Sequence, residues 1–106
     1  MNIITAAPVS ASSRALTLQF ADNALLPLLF GDHDRHLVRI EQGLGVKLAS
    51  RGNRVAISGD PMRVQAAEAA LQGLYQRLER GQPVGKGEVE AAIRMSGPPD
   101  EDGPRL

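Results

Sequence analysis

Cysteine and tryptophan are absent from the 106-residue chain, and only two phenylalanines and one tyrosine supply aromatic rings. Without cysteine the chain can form neither disulfides nor thiolate metal sites. The scarcity of aromatic rings removes the platforms on which proteins stack single-stranded bases. Long apolar runs are missing as well. The sequence therefore predicts no transmembrane segment and no signal peptide, and we expect a cytoplasmic location.

The chain also lacks an excess of charge of either sign, because twelve lysines and arginines balance twelve aspartates and glutamates. A protein that holds nucleic acid through bulk electrostatics alone is therefore not indicated, and the distribution of charge along the chain becomes the informative feature. The length and the 42% hydrophobic content are those of one globular domain with a single, mainly aliphatic core.

Hydrophobic periodicity divides the chain into six main elements. Alternation of apolar and polar residues predicts a first strand over residues 16–20. A helix that starts near Asp22 follows, and Pro27 is expected to shorten or bend it. Gly31 is expected to end that helix, and Asp34 to cap a second one.

The middle of the chain carries the clearest local pattern. Two alternating runs, at residues 46–49 and 55–58, flank a turn at residues 51–53 and predict a β-hairpin. Asp60 and Pro61 then mark the start of the longest helix, whose apolar residues recur every three to four positions. This apolar stripe consists of Val64, Ala67, Leu71, Leu74 and Leu78.

The order of these elements is β-α-α-β-β-α. We therefore predict an α+β domain whose three-stranded sheet carries its helices on one face, in the element order of a type I KH fold. We expect a flexible arm over residues 1–14 and the domain over residues 15–80. Residues 81–95 are expected to form a linker, over residues 81–87, and a short helix, over residues 88–95. A disordered acidic tail is expected over residues 96–106.

Two short motifs add a family resemblance to this fold prediction. They are a Phe-Gly-x-x-Asp junction at residues 30–34 and an Arg-Gly-Asn hairpin at residues 51–53. Together with the pattern over residues 16–95, they resemble the N-terminal domain of PhoH-like ATPases. The resemblance implies a KH-like domain that precedes a P-loop ATPase domain in a cytoplasmic protein linked to phosphate starvation and RNA metabolism. ATP and magnesium are implied only for that second domain, and no cofactor is expected in this chain.

The glycine-rich segment at residues 81–86 is the nearest approach to a phosphate-binding loop. It has three residues between its glycines instead of four, Gly87 stands where a serine or threonine is required, and no strand precedes it. We therefore interpret the segment as a linker and predict that the chain is not an enzyme. His33 and His36 lie in an exposed loop without fixed geometry, so no metal site is predicted either.

In KH domains a Gly-x-x-Gly turn between the first two helices clamps the nucleic-acid backbone. The corresponding turn here keeps Gly31, has Asp34 in place of the second glycine, and carries a further carboxylate at Asp32. Each carboxylate repels a phosphate by about 1 kcal/mol at contact distance in water. Two interpretations stay open: Gly31 contacts nucleic acid, or Gly31 and Asp34 only end one helix and cap the next.

Residues 35–54 carry a local excess of positive charge, since five cations minus Glu41 leave +4. Such a cluster is able to follow a phosphate backbone, although charged residues on an exposed face are often only solvated. The predicted nucleic-acid-binding residues are Gly31, Arg35, Arg39, Lys47, Arg51 and Arg54.

Two functional hypotheses follow. In the first, the chain is an accessory domain that helps a PhoH-like ATPase domain engage single-stranded RNA through the second helix, the strand after it and the hairpin. In the alternative, it is a protein-interaction or oligomerisation module without RNA binding. Its edge strand at residues 16–20, or its exposed sheet face, would then contact a second copy or the ATPase domain. No membrane partner is predicted.

Overall fold

The computed structural model describes residues 14–96, which form a three-stranded antiparallel sheet and four α-helices. The strands are β1 (Arg14–Gln19), β2 (Lys47–Arg51) and β3 (Arg54–Gly59), and the helices are α1 (Leu26–Phe30), α2 (Arg35–Leu44), α3 (Pro61–Glu79) and α4 (Lys86–Ser96). The predicted α+β class and three-stranded sheet are confirmed. The predicted arm apart from Arg14, and the predicted tail apart from Ser96, lie outside the described residues. None of the four helices in this part of the chain has the length and hydropathy needed to cross a membrane.

The sheet has the order β1-β3-β2, so the central strand β3 pairs antiparallel with both neighbours. Leu16 of β1 and Leu48 of β2 both lie opposite Ile57 of β3. Ile57 and Val55 are fully buried because alternate side chains of β3 point to the face that the helices cover. The intervening side chains point to the other face, which no described helix covers.

A two-residue turn at Gly52 and Asn53 joins β2 to β3 and confirms the predicted hairpin. Gly52 has a φ of 58°, as a type II′ turn requires at its first central position. The Asn53 Nδ2 donates to the Phe20 carbonyl oxygen at 3.0 Å, and the Phe20 N–H donates to the Asn53 carbonyl oxygen at 2.9 Å. These two bonds tie the hairpin to the end of β1.

The first helical segment is interrupted near Pro27. The Asp22 carboxylate accepts the Ala24 N–H at 2.9 Å and caps a single 3₁₀ turn over Asn23–Leu25. Helix α1 follows and is only five residues long, with Pro27 in its first turn. Proline is tolerated there because the N–H groups of the first turn have no partner within the helix. The predicted shortening is confirmed.

Helix α3 begins where the sequence predicts and packs across β1 and β3. Asp60 accepts hydrogen bonds from two backbone N–H groups of the first turn, at 3.1 and 3.4 Å, and Pro61 is the first helical residue. All five residues of the predicted stripe are buried. Ala66, Ala70 and Tyr75 are buried in addition. The Tyr75 ring packs against Phe20 with ring centroids 4.8 Å apart, and its hydroxyl accepts the Asp22 N–H at 2.8 Å.

Helix α4 packs against α2 and α3 and contributes Val89, which is fully buried, to the core. It begins at Lys86, so Lys86 and Gly87 are helical although the sequence predicts them in a linker. The Glu88 carboxylate accepts the Gly85 N–H at 2.8 Å, as the glutamate at position N3 of a capping box does. The hydrogen bonds from the Gly85 N–H and from the N–H of Glu88 itself lower the pKa of Glu88.

Candidate nucleic-acid interface

The uncovered side of the sheet forms a surface of nine side chains, which we name the open sheet face. The strand register places them in three rows, each of which crosses β1, β3 and β2. Eight are exposed and one, Ser58, is half-buried. In row order they are Ala15, Ser58 and Lys47, then Thr17, Ala56 and Ala49, then Gln19, Arg54 and Arg51.

The open sheet face is positive at its two ends and neutral between them. Lys47 lies in one end row, Arg51 and Arg54 lie in the other, and none of the nine side chains is a carboxylate. Among residues 14–96 these three cations have neither an ion-pair nor a hydrogen-bond partner. Four residue steps along β2 separate Lys47 from Arg51, which is about 13 Å. The short side chains of the middle row leave room for an extended ligand between the charges.

Arg51 and Arg54 are directly opposite each other, as the last pair of the hairpin. Like charges in such a cross-strand pair destabilise a sheet by some tenths of a kcal/mol. Gln19, the third residue of the same row, supplies no negative charge to offset them. The two uncompensated charges lower the stability of the sheet when it is unoccupied, so this end of the open sheet face favours the binding of an anion.

The flank where α2 meets β2 carries negative charge instead. Glu41 of α2 accepts the Leu48 N–H at 2.6 Å and so occupies a backbone donor on the outer edge of β2. A carboxylate in this position repels phosphate. The charges therefore favour an anion on the open sheet face over this flank.

The turn before α2 owes its shape to Gly31 and to the buried side chain of His36. The Gly31 N–H donates to the Pro27 carbonyl oxygen at 3.0 Å and ends α1. Gly31 has φ 79° and ψ 172°, a conformation nearly exclusive to glycine, and a Cβ there would lie 2.9 Å from the His36 ring. His36 is 6% exposed, and its Nδ1–H donates to the Leu29 carbonyl oxygen at 3.0 Å. Gly31 therefore ends α1, as the second of the two interpretations in the sequence analysis predicts.

Asp34 occupies the N-cap position of α2 but does not cap it. A capping residue normally has an extended backbone, which lets its side chain reach the N–H groups of the first turn. Asp34 is left-handed instead, with φ 58° and ψ 27°, and its side chain makes no capping hydrogen bond. The preceding His33 is left-handed too, and each such residue costs on the order of 1 kcal/mol. No three potential metal-ligating side chains gather here or elsewhere within residues 14–96.

Arg35 and Arg39 lie in the helix layer, because α2 turns its apolar face towards the sheet. With Lys86 of α4 they line an open cleft of about 470 Å³. Arg39 forms an ion pair with Glu90, with Nη1 and Oε2 2.7 Å apart. The structure thus separates the predicted binding residues into Lys47, Arg51 and Arg54 on the open sheet face, Arg35 and Arg39 in the helix layer, and Gly31 in the turn.

Two residues that matter here are not identified by the sequence analysis. Lys86 is predicted in a linker, and only the packing of α4 brings it beside α2. Glu41 counts in the sequence as one negative charge, whereas its bond to Leu48 depends on how α2 lies against β2. The spacing of Gly85 and Glu88 is the one local signal that could have located the start of α4.

Solved structures with a similar fold are known, although no family model matches the chain. A protein of unknown function from Aeropyrum pernix superposes with a TM-score of 0.64 and 17% sequence identity, over 80% of this chain and 47% of that one. Dim2p from Pyrococcus horikoshii superposes with a TM-score of 0.59 and 22% identity, over 78% of this chain and 49% of that one. At these identities the comparison shows a shared fold alone.

Two curated proteins match part of the chain in sequence. A PhoH-like protein of Bacillus subtilis is 31% identical over 68 residues, which are 64% of this chain and 21% of that protein. A PhoH-like protein of Mycobacterium leprae is 36% identical over 67 residues, 63% of this chain and 19% of that protein. The chain therefore spans about a fifth of the length of these relatives. Over nearly two thirds of its residues, this chain is related to a part of PhoH-like proteins.

Proposed function

We propose that this chain is a non-catalytic, RNA-engaging domain of a PhoH-like ATP-binding protein. In this role it is a KH-like domain that acts beside a P-loop ATPase domain in a cytoplasmic protein linked to phosphate starvation. The match to PhoH-like proteins supports this kinship, and so does the element order β-α-α-β-β-α, which α4 follows in the structure. One observation supports RNA binding above all others: the open sheet face holds three cations and no carboxylate among its nine side chains.

The composition of the open sheet face also indicates how RNA is bound. Lys47, Arg51 and Arg54 contact phosphates, and the small residues between them let the strand approach the sheet. No aromatic side chain lies on this face, so bases are not stacked. Binding is therefore salt-sensitive and tolerant of sequence, because phosphates carry no sequence information.

The double variant Arg51→Gln/Arg54→Gln tests this proposal. Each phosphate contact to a single strand contributes about 0.7 to the steepness with which log affinity falls against log salt concentration. Between 1 M and 50 mM salt, one such contact therefore raises the affinity by about eightfold. Loss of two contacts should therefore weaken binding of a labelled 12-nucleotide RNA by about 60-fold and reduce the slope by about 1.4. Fluorescence anisotropy of the full 106-residue chain at several salt concentrations measures both quantities.

The double variant Arg80→Gln/Arg94→Gln is the matched control. It removes the same charge from two exposed arginines of the helix layer that have no side-chain partner among residues 14–96. The control should bind RNA within about threefold of the wild type, a margin that long-range screening allows. The proposal would be contradicted if the two double variants lost RNA affinity equally, or if the wild type did not bind RNA at low salt.

The interaction-module alternative is favoured by a different observation, the free edge of β1. This strand pairs with β3 on one side, and no other described strand pairs with it. The opposite edge of the sheet is partly closed by the bond from Leu48 to Glu41. An unprotected edge is able to pair with a second chain. Light scattering tests self-association. A measured mass of 11.3 kDa, which is that of one chain, at high protein concentration would exclude it.

A further inference from the structure

An open cleft of about 470 Å³ lies between the outward side of α2 and the start of α4. Four of its lining residues follow one stripe of α2 at spacings of three and four: Arg35, Val38, Arg39 and Gln42. Lys86 of α4, His33 from the preceding turn and the buried His36 complete the lining. We propose that this cleft is a binding site for a phosphate group.

Three permanent cations line the cleft. Arg39 is paired with Glu90 at 2.7 Å, which holds its guanidinium between α2 and α4. Arg35 and Lys86 have no ion-pair or hydrogen-bond partner among residues 14–96. Counted over the lining residues and Glu90, three cations minus one carboxylate leave a positive charge, the sign that a phosphate requires. The planar guanidinium donates two parallel bonds to phosphate oxygens, and the lysine ammonium adds a point charge.

The carboxylates nearest to the cleft in sequence do not line it. Asp32 and Asp34 flank His33, yet only the histidine is among the lining residues. The backbone at His33 and Asp34 is left-handed, with φ values of 55° and 58°. Strained backbone of this kind clusters at sites that hold ligands. The turn thus directs an imidazole, and neither of its carboxylates, to the cleft.

The imidazole of His36 gives the cleft a fixed wall. Its Nδ1–H donates to the Leu29 carbonyl oxygen at 3.0 Å, and only 6% of the residue is exposed. The ring also packs against Gly31, where it leaves no room for a side chain. A wall that is ordered before binding reduces the entropy lost on binding.

The proposal concerns the phosphate alone and assigns neither base nor sugar, since the lining contains no phenylalanine, tyrosine or tryptophan ring. The cleft lies in the helix layer and shares no residue with the open sheet face. This proposal therefore stands or fails separately from the proposed function. The phosphate can belong to a small molecule or to a nucleic-acid strand, and an experiment can separate these two sources.

The test is a titration of the full ¹⁵N-labelled chain with inorganic phosphate, followed by NMR, with sodium chloride at equal ionic strength as reference. We expect saturable shifts of the amides in residues 33–42 and of Lys86. The variant Arg35→Gln/Lys86→Gln should bind phosphate at least tenfold more weakly, while Arg80→Gln/Arg94→Gln should match the wild type. Both altered pairs are exposed, so both variants should fold, and their spectra report this directly.

Phosphate-induced shifts no larger than those caused by chloride would overturn the proposal. So would an equal loss of phosphate affinity in Arg35→Gln/Lys86→Gln and Arg80→Gln/Arg94→Gln. The variant Arg51→Gln/Arg54→Gln must keep its phosphate binding, and its loss of RNA binding alone would leave the cleft assignment intact. Two further titrations identify the source, with a 5′-phosphorylated 12-nucleotide RNA and with its 5′-hydroxyl counterpart. RNA that competes with inorganic phosphate for these amides assigns the cleft to a nucleic-acid phosphate, and absence of competition assigns it to a small phosphate-bearing molecule.

Discussion

We expect the substitution Gly31→Ala to lower the free energy of unfolding by about 3 kcal/mol. Part of this loss comes from the backbone, because φ 79° with ψ 172° is strained for any residue that has a Cβ. The rest comes from the contact with His36, whose ring would lie 2.9 Å from the new methyl group. That ring is buried and bonded to the Leu29 carbonyl oxygen, so it cannot move aside without the loss of a hydrogen bond.

Urea unfolding of the Gly31→Ala and Gly73→Ala variants gives a matched comparison. Gly73 lies inside α3, and a Cβ there would meet no atom within 4 Å. Its replacement by alanine should stabilise the domain by about 1 kcal/mol through helix propensity. The same substitution is thus expected to have opposite signs at the two positions. A Gly31→Ala variant as stable as the wild type would contradict the requirement of the fold for glycine at this position.

The substitution Val89→Asp should cost 3 kcal/mol or more of unfolding free energy, since an uncompensated charge in the interior costs several kcal/mol. Val89 is fully buried and belongs to the core cluster. Helix α4 packs on both α2 and α3, so its detachment would uncover apolar surface on two helices. Thermal unfolding followed by circular dichroism measures the effect.

Met95→Asp on the same helix is the control, because Met95 is 83% exposed. A carboxylate near the C-terminal end of α4 opposes the helix dipole, so a loss below about 1 kcal/mol is expected there. If Val89→Asp were no more harmful than Met95→Asp, α4 would not be part of the cooperative core. The cleft proposed between α2 and α4 would then lose its structural basis.

Most of the framework follows from local patterns in the sequence. The alternation around residues 51–53 is sufficient for the hairpin, because a period of two and a turn glycine specify both strands and their register. The stripe of α3 and the capping by Asp60 likewise depend on neighbours in sequence. With these elements correct, alternation alone puts Lys47, Arg51 and Arg54 on the same face of the sheet.

The parts that were not predictable depend on contacts between elements. The sequence predicts a capping aspartate at Asp34, but the tight path from Gly31 into α2 forces a left-handed backbone there and removes the cap. Lys86 reaches α2 only through the packing of α4. Arg35 and Arg39 share a charge sign and a sequence neighbourhood with the residues of β2, yet the two-layer architecture separates them from the open sheet face.

The central claim, that nucleic acid binds the open sheet face, is tested most directly by a map of RNA-induced NMR shifts on the ¹⁵N-labelled chain. With an excess of the 12-nucleotide RNA at 50 mM salt, we predict that the largest shifts fall on residues 47–51 and 54–58. They should vanish as the salt concentration is raised. Shifts confined to the flank around Glu41, or no shifts at low salt, would contradict the account.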